Sequence, residues 1–188
     1  MATYLNGFVR NCRTVRIANL AQLVNAIAPI FTNPRGLFLQ TIYHPLRLYA
    51  EYTRENALDL HVEGPTHDLP AAQEEQSGGR VHHVADLGPF SLLDAVASCD
   101  AAGRELTLAV VNRDRDRAHR ATVELIGAAA GAGVLSEVNG PDVAAVNSFE
   151  APRRVDVTER KLEFGGARCE LEFPAHSVTV VRTSLART

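Results

Sequence analysis

The sequence predicts a mostly β protein, an antiparallel β-sandwich of the jelly-roll type that follows a short α/β lead-in. Two observations support this prediction. In the second half of the chain, apolar and polar residues alternate with a period of two in several short segments, which is typical of strands with one buried face. Before residue 58, apolar residues instead recur at helical spacing on either side of one long apolar run.

Two helices are predicted in the lead-in. The first spans Ala2–Cys12, whose apolar residues lie three and four positions apart, and Arg10 near its end suits the helix dipole. A turn at Asn33–Gly36 precedes the second helix. That helix lies within Phe38–Tyr52, with Pro45 near its start, because proline is tolerated in a first helical turn.

Between the helices lies the apolar run Val15–Ile30. Its periodicity fits a helical face, but Val15–Gln22 also fits a fully buried strand, and we predict the strand. The run contains four polar side chains, which are costly to bury unless each finds a partner. They either have structural partners or face a ligand, and they are Arg16, Asn19, Gln22 and Asn25.

The predicted strands follow a loop at Gly64–Gly79 that is rich in Pro, Gly, Glu and Gln. Asp100–Gly103 predicts a hairpin between the strands Leu92–Cys99 and Glu105–Asn112. The glycines of Gly127–Gly133 indicate a flexible loop. Further strands are predicted around Val123, Val157, Leu171 and Val180. Short strands at this spacing predict a sandwich of one domain.

Composition excludes several classes of function. The chain has 188 residues, of which 46% are hydrophobic and 22% charged, and its net charge is −3. Such a small charge, without a basic block, gives no reason to expect a nucleic-acid or membrane partner. The widely spaced Cys12, Cys99 and Cys169 favour neither a disulfide framework nor a zinc site. No signal-like apolar core begins the sequence, so we expect a cytoplasmic protein with reduced thiols.

Several long segments, in order and spread over the whole chain, together resemble one family of enzymes. They are Ala18–Asn25, Ile27–Ile30, Leu39–Leu46, Val138–Asp142, Asn147–Glu150 and Phe173–Val180. By these segments the sequence closely resembles the C-terminal portion of family 51 α-L-arabinofuranosidases. The resemblance implies that residues 1–57 are the last strand and flanking helices of a catalytic (β/α)8 barrel. Residues 58–188 would be the accessory β-sandwich packed on that barrel.

The resemblance also implies an activity. It is retaining, exo-acting hydrolysis of terminal, non-reducing arabinofuranosyl residues, without a metal or organic cofactor. The substrates would be arabinofuranosyl oligosaccharides bound by the complete barrel, and related enzymes are homo-oligomers. Retaining hydrolysis needs two carboxyl groups about 5–5.5 Å apart, which the resemblance implies on earlier barrel strands. We therefore assign no catalytic residue to this chain and expect it to be inactive alone.

One substrate-binding residue is expected, Gln22. It ends the predicted strand, and barrel enzymes draw their active-site groups from the C-terminal ends of strands. The resemblance implies that a glutamine at this position hydrogen-bonds the arabinofuranosyl ring, and Asn19 and Asn25 are interpreted as structural. Glu51 and Glu55 are interpreted as a solvated helix face.

The histidines predict no metal site. The adjacent His82 and His83, on a predicted strand, would point to opposite faces. For His176 we expect a contact in a turn before a strand.

A non-catalytic alternative is a carbohydrate-binding or interaction module. Such modules often present aromatic rings to sugar faces. The chain has no Trp, and its Tyr residues all lie in the lead-in, which disfavours this alternative.

Overall fold

We analysed a computed structural model of the chain, which describes residues 1–68 and 88–187. The described part is mostly β, as predicted. Its helices are α1 (Ala2–Arg10) and α2 (Tyr43–Tyr52). Its strands are β1 (Ile30–Asn33), β2 (Gly36–Leu39), β3 (Asn56–Leu58), β4 (Thr66–His67), β5 (Phe90–Ser91), β6 (Leu93–Cys99), β7 (Glu105–Asn112), β8 (His119–Glu124), β9 (Ala128–Asn139), β10 (Asp156–Gly166), β11 (Arg168–Phe173) and β12 (Val178–Arg187).

The largest layer is a six-stranded antiparallel sheet with the order β10–β9–β12–β7–β6–β3. The predicted hairpin between β6 and β7 is present. The Asp100 carboxylate closes its turn by accepting hydrogen bonds from the backbone N–H groups of Arg104, at 2.5 Å, and Glu105, at 2.8 Å. The central strands are buried on both faces, so they contain long apolar runs rather than strict alternation.

A two-stranded sheet, β8 and β11, covers one face of the large sheet. Its inward residues alternate with polar, mostly charged outward residues, as the period-two pattern predicts. Leu171 and Phe173 on β11 pack against Leu108, Leu135 and Val181 of the large sheet. These contacts form the first hydrophobic core. They confirm the predicted stacking of antiparallel sheets, with six strands in one layer and two in the other in the described part of the chain.

The two helices cover the opposite face of the large sheet. Leu48 and Tyr49 of α2 and Ala2 of α1 share a second core with Val96 and Val180. The predicted division between residues 57 and 58 falls inside β3, which pairs with β6. The helices therefore pack directly on the β domain, while the assignment of residues 1–57 to a barrel stays a prediction.

The prediction of a buried strand at Val15–Gln22 is wrong for this structure. The segment has no strand hydrogen bonding, and its residues are exposed apart from Val15, which is half-buried. A strand needs a neighbour to satisfy its backbone groups. No strand of the described residues runs beside this segment, so the apolar side chains of Ile17 and Leu20 remain in solvent.

Two loop predictions differ from the structure in an informative way. The turn at Asn33–Gly36 is present, but strands β1 and β2 flank it, and Phe38 belongs to β2 rather than to α2. The predicted flexible loop Gly127–Gly133 lies mostly in β9 and is therefore wrong. Its small residues suit a strand that is paired on both sides, with β10 and β12. Of the predicted loop Gly64–Gly79, residues 69–79 lie outside the described residues.

Within those ranges, no helix combines the length and the apolar character needed to cross a membrane.

Candidate functional site

The predicted sugar-binding residue Gln22 lies in an exposed segment between α1 and β1. We call residues 15–28 the Gln22 segment. Its backbone is irregular, with positive φ angles at Gln22 (22°), Asn25 (58°) and Ala26 (55°). Non-glycine residues adopt such angles rarely, and they cluster at functional sites. The Gln22 side chain, exposed and able both to donate and to accept, is available to a ligand.

Asn25 anchors the end of this segment. Its backbone N–H donates to the Ile30 carbonyl oxygen at 2.8 Å. Its side-chain oxygen accepts a hydrogen bond of 2.8 Å from the Thr32 N–H, and its side-chain nitrogen lies 3.3 Å from the Thr32 hydroxyl. A β-bridge between Val24 and Ile30 adds a further link. The interpretation of Asn25 as a structural residue is supported by these contacts, which fasten the segment to β1.

The β1–β2 hairpin is in turn fastened to the loop between β9 and β10. Phe31 stacks on Phe38 with ring centroids 5.1 Å apart, and Phe149 meets Phe38 edge-on at 4.8 Å. The side chain of Asn147, 2% exposed, donates to the carbonyl oxygens of Leu39 and Val155 at 2.8 Å each. Sequence reasoning noticed the segment Asn147–Glu150 but assigned it no role, since only the fold places it beside the hairpin.

The Gln22 segment also exposes apolar side chains. Ile17 and Ile27 are 79% and 80% exposed. Leu20, Leu23 and Val24 are exposed as well, together with Leu37 on the neighbouring hairpin. Exposed apolar groups in such number usually mark a surface that another part of a protein covers.

A cleft of about 370 Å³ lies elsewhere, where the first turns of α1 and α2 meet the end of β9. Gln22 is not among its lining residues. His176 borders the cleft, and its ring nitrogens lie 2.8 Å from the Arg115 carbonyl oxygen and 3.2 Å from that of Gly140. The expected turn contact of His176 before β12 is thus confirmed.

His44, at the start of α2, is 4% exposed, and its Nδ1 lies 3.9 Å from a carboxylate oxygen of Asp156. Burial lowers the pKa of the His44 imidazole below its ordinary value of 6.5. The negative charge of Asp156 opposes this shift, and the positive charge of Arg47 adds to it. The buried His44 ring lies where α2 meets the β domain, and we therefore interpret it as a packing residue rather than a site residue.

Among the residues that the structure describes, the remaining candidates form no catalytic constellation. Glu51 and Glu55 are both exposed, but α2 ends at Tyr52, so the interpretation as a solvated helix face is correct for Glu51 and wrong for Glu55. His82 and His83 lie outside the described residues. Over residues 1–68 and 88–187, no three His, Cys, Asp or Glu side chains come together as a metal site would require.

These features define a β domain with an attached, exposed segment that carries Gln22. The family model described as the α-L-arabinofuranosidase C-terminal domain matches residues 1–177. The chain therefore belongs to the family 51 α-L-arabinofuranosidases, as the C-terminal portion.

Curated relatives and solved structures agree with this assignment. A probable α-L-arabinofuranosidase C from Aspergillus clavatus is 34% identical over 97% of this chain and 33% of its own length. An intracellular exo-α-(1→5)-L-arabinofuranosidase from Streptomyces lividans is 36% identical over 65% of this chain and 16% of its own length. The α-L-arabinofuranosidase of Thermotoga maritima, solved with arabinose, matches with a TM-score of 0.79 at 27% identity, over 97% of this chain and 38% of that one. The family 51 enzyme of Bifidobacterium longum matches with a TM-score of 0.79 at 27% identity, over 97% of this chain and 34% of that one. The chain thus spans about a third of the length of the Aspergillus relative.

Proposed function

We propose that this chain is the C-terminal part of a retaining, exo-acting α-L-arabinofuranosidase and that Gln22 contacts the sugar. The supporting observation is the family match, which runs through the segment that holds Gln22. The substrate would be the terminal, non-reducing arabinofuranosyl group of an oligosaccharide. The two carboxylic acids that such hydrolysis requires would come from the part of the enzyme that relatives have before this region.

Gln22 would serve substrate recognition rather than bond cleavage. An amide side chain can donate two hydrogen bonds and accept others, which matches a sugar hydroxyl. It cannot replace a general acid or a nucleophile. The exposed apolar side chains of the Gln22 segment would pack against the remainder of the catalytic barrel. That packing would provide the neighbours that the segment lacks here.

We also propose that the enzyme acts in the cytoplasm as a homo-oligomer. The name of the Streptomyces lividans relative, which calls it intracellular, supports the location. Cell fractionation, and sedimentation of the complete enzyme, would test the two statements separately.

The test uses a hybrid enzyme, the N-terminal part of the Thermotoga maritima relative joined to this chain. We expect the hybrid to hydrolyse p-nitrophenyl α-L-arabinofuranoside, and residues 1–188 alone to show no turnover. The anomer formed first, followed by proton NMR, should retain the substrate configuration, and oligosaccharides should lose single terminal arabinose units. Turnover by residues 1–188 alone would overturn the missing-carboxylate argument.

Gln22 is tested in the same hybrid. We expect Gln22→Ala to lower kcat/KM about 10- to 100-fold, the loss expected for one or two substrate hydrogen bonds. Asn19→Ala is the matched control, because it removes an exposed amide three residues away, and it should change kcat/KM less than about twofold. Unchanged kinetics in Gln22→Ala would remove the proposed role.

A further inference from the structure

We propose that the loop between β9 and β10 positions Gln22, so that the β domain sets the geometry of the sugar-binding amide. The positioning residues are Asn147 and Phe149, which act through the β1–β2 hairpin. This inference rests on the proposed function, in which Gln22 contacts the sugar. In this proposal the β domain contributes to substrate recognition by positioning Gln22, without itself contacting the sugar.

The first link is Asn147. All three hydrogen bonds of its side chain are 2.8 Å long: two donated to the Leu39 and Val155 carbonyl oxygens and one accepted from the Val155 N–H. Leu39 ends β2, and Val155 directly precedes β10. A single buried amide therefore joins the hairpin to the large sheet. Because the amide is buried, removing its donors would leave carbonyl groups without partners.

The second link is a column of three aromatic rings. Phe31 on β1 stacks on Phe38 on β2, with their ring planes 12° apart. Phe149 meets Phe38 at 87°, an edge-to-face arrangement. Phe38 is 7% exposed, whereas Phe149 is 39% exposed. Such aromatic pairs stabilise beyond the area they bury, and Phe149 can be shortened without opening either hydrophobic core.

The third link runs from the hairpin to Gln22. Ile30 pairs with Leu39 in the hairpin and bridges Val24, two residues beyond Gln22. Asn25 binds the backbone of both Ile30 and Thr32. Direct contacts thus lead from Asn147 and Phe149 through the hairpin to Val24. From Val24 to Gln22, two residues away, the connection is the covalent chain alone.

Position matters here because Gln22 itself lies in no helix or strand. A binding group has to be held to within about 0.5 Å of its productive geometry by its supporting residues. A hydrogen-bonded hairpin seated on the β domain provides such support on the C-terminal side of Gln22. Loosening the hairpin would let the amide move without removing it.

The first experiment needs only this chain. Amide hydrogen exchange is compared between Phe149→Ala and the control Ile126→Ala, which removes a 90% exposed apolar side chain at the β8–β9 turn. We expect faster exchange at Asn25 and Thr32 in Phe149→Ala alone, with exchange in β7 and β12 unchanged. Asn147→Asp, which keeps the acceptor and loses both donors, should act in the same direction. Equal exchange in Phe149→Ala and Ile126→Ala would overturn the proposal.

The second experiment is a double-mutant cycle in the hybrid enzyme. We expect Phe149→Ala to lower kcat/KM about three- to tenfold, and the double variant with Gln22→Ala to lose no more than Gln22→Ala alone. A residue that only stabilised the fold would give additive losses, and additivity would overturn the positioning role. If Gln22→Ala leaves the kinetics unchanged, the proposed sugar contact fails instead, and the exchange experiment still decides whether the loop holds the segment.

Discussion

The Tyr49 hydroxyl on α2 donates a 2.5 Å hydrogen bond to the side-chain oxygen of Asn6 on α1, and both residues are buried. The Asn6 nitrogen in turn donates to the Asp94 carbonyl oxygen at 2.9 Å. The Asp94 side chain pairs with Arg10 at 2.7 Å. One polar network therefore fixes both helices on β6, beside the apolar contacts of the second core.

The first prediction concerns Tyr49→Phe. The change leaves the buried Asn6 oxygen without its donor, so we expect the free energy of unfolding to fall by about 1–3 kcal/mol. Burial, followed by the charge of Asp94, raises the pKa of the Tyr49 phenol, so the hydroxyl stays a donor at neutral pH. Urea denaturation measures the effect. Tyr4→Phe, on the 69% exposed ring of α1, should stay within about 0.5 kcal/mol, and an equal effect of both changes would contradict the prediction.

Helix α1 shows how far the sequence predicts the fold. Its apolar spacing predicted the helix, but Phe8 and Cys12 of the predicted face are exposed, and the polar Asn6 is fully buried. Asparagine is usually a surface residue, and Asn6 lies outside the apolar face that predicted the helix. Only the tertiary partners, Tyr49 and Asp94, make its burial favourable, and these lie 43 and 88 positions away.

The second prediction concerns His44 and acid pH. Since burial lowers its pKa in the folded state below 6.5, the unfolded chain binds a proton first as pH falls. The part of the unfolding free energy that depends on a neutral His44 is therefore fully present above pH 6.5, and it is lost as the pH falls below that value. The facing charges are Asp156 and Arg47, and Asp156 is also bound by Arg153 at 2.6 Å.

We expect His44→Gln to reduce the loss of unfolding free energy between about pH 7 and 5, measured by urea titrations. His61→Gln is the control, since that ring is 82% exposed. Parallel pH dependences for the natural chain and His44→Gln would show that the ring does not carry the effect.

The third prediction compares two glycines in β9. A methyl group at Gly133 would meet the backbone carbonyl of Arg182 on β12, so the two strands would have to separate. We expect Gly133→Ala to cost about 1–3 kcal/mol. At Gly131 the obstacle is the Ser184 hydroxyl, 2.9 Å from the added carbon, and that side chain can rotate. Gly131→Ala should stay within about 1 kcal/mol of neutral. Thermal unfolding of both variants tests the difference, and equal melting temperatures would contradict it.

The same strand explains one failure of sequence reasoning. The stretch Gly127–Gly133 lacks the bulky residues that mark strands, so a loop was the natural interpretation. Its small side chains are a consequence of close pairing with β12. Gln22 was a second difficulty: the apolar residues around it predicted a buried strand, yet among the described residues no strand pairs with Val15–Gln22, and Gln22 is exposed. The site prediction remains a prediction for that reason.

The last prediction concerns self-association through the Gln22 segment. Ile17 and Ile27 are about four-fifths exposed, and exposed apolar groups in such density promote association. We expect the double variant Ile17→Ser, Ile27→Ser to shift this chain toward the monomer in sedimentation velocity at increasing protein concentration. Ile126→Ser is the control, because Ile126 is even more exposed, at 90%, but lies outside the segment. If association depends on the clustering of apolar residues rather than on exposure alone, only the double variant responds. An equal shift toward the monomer in both variants, or in neither, would show that the chain does not self-associate through the Gln22 segment.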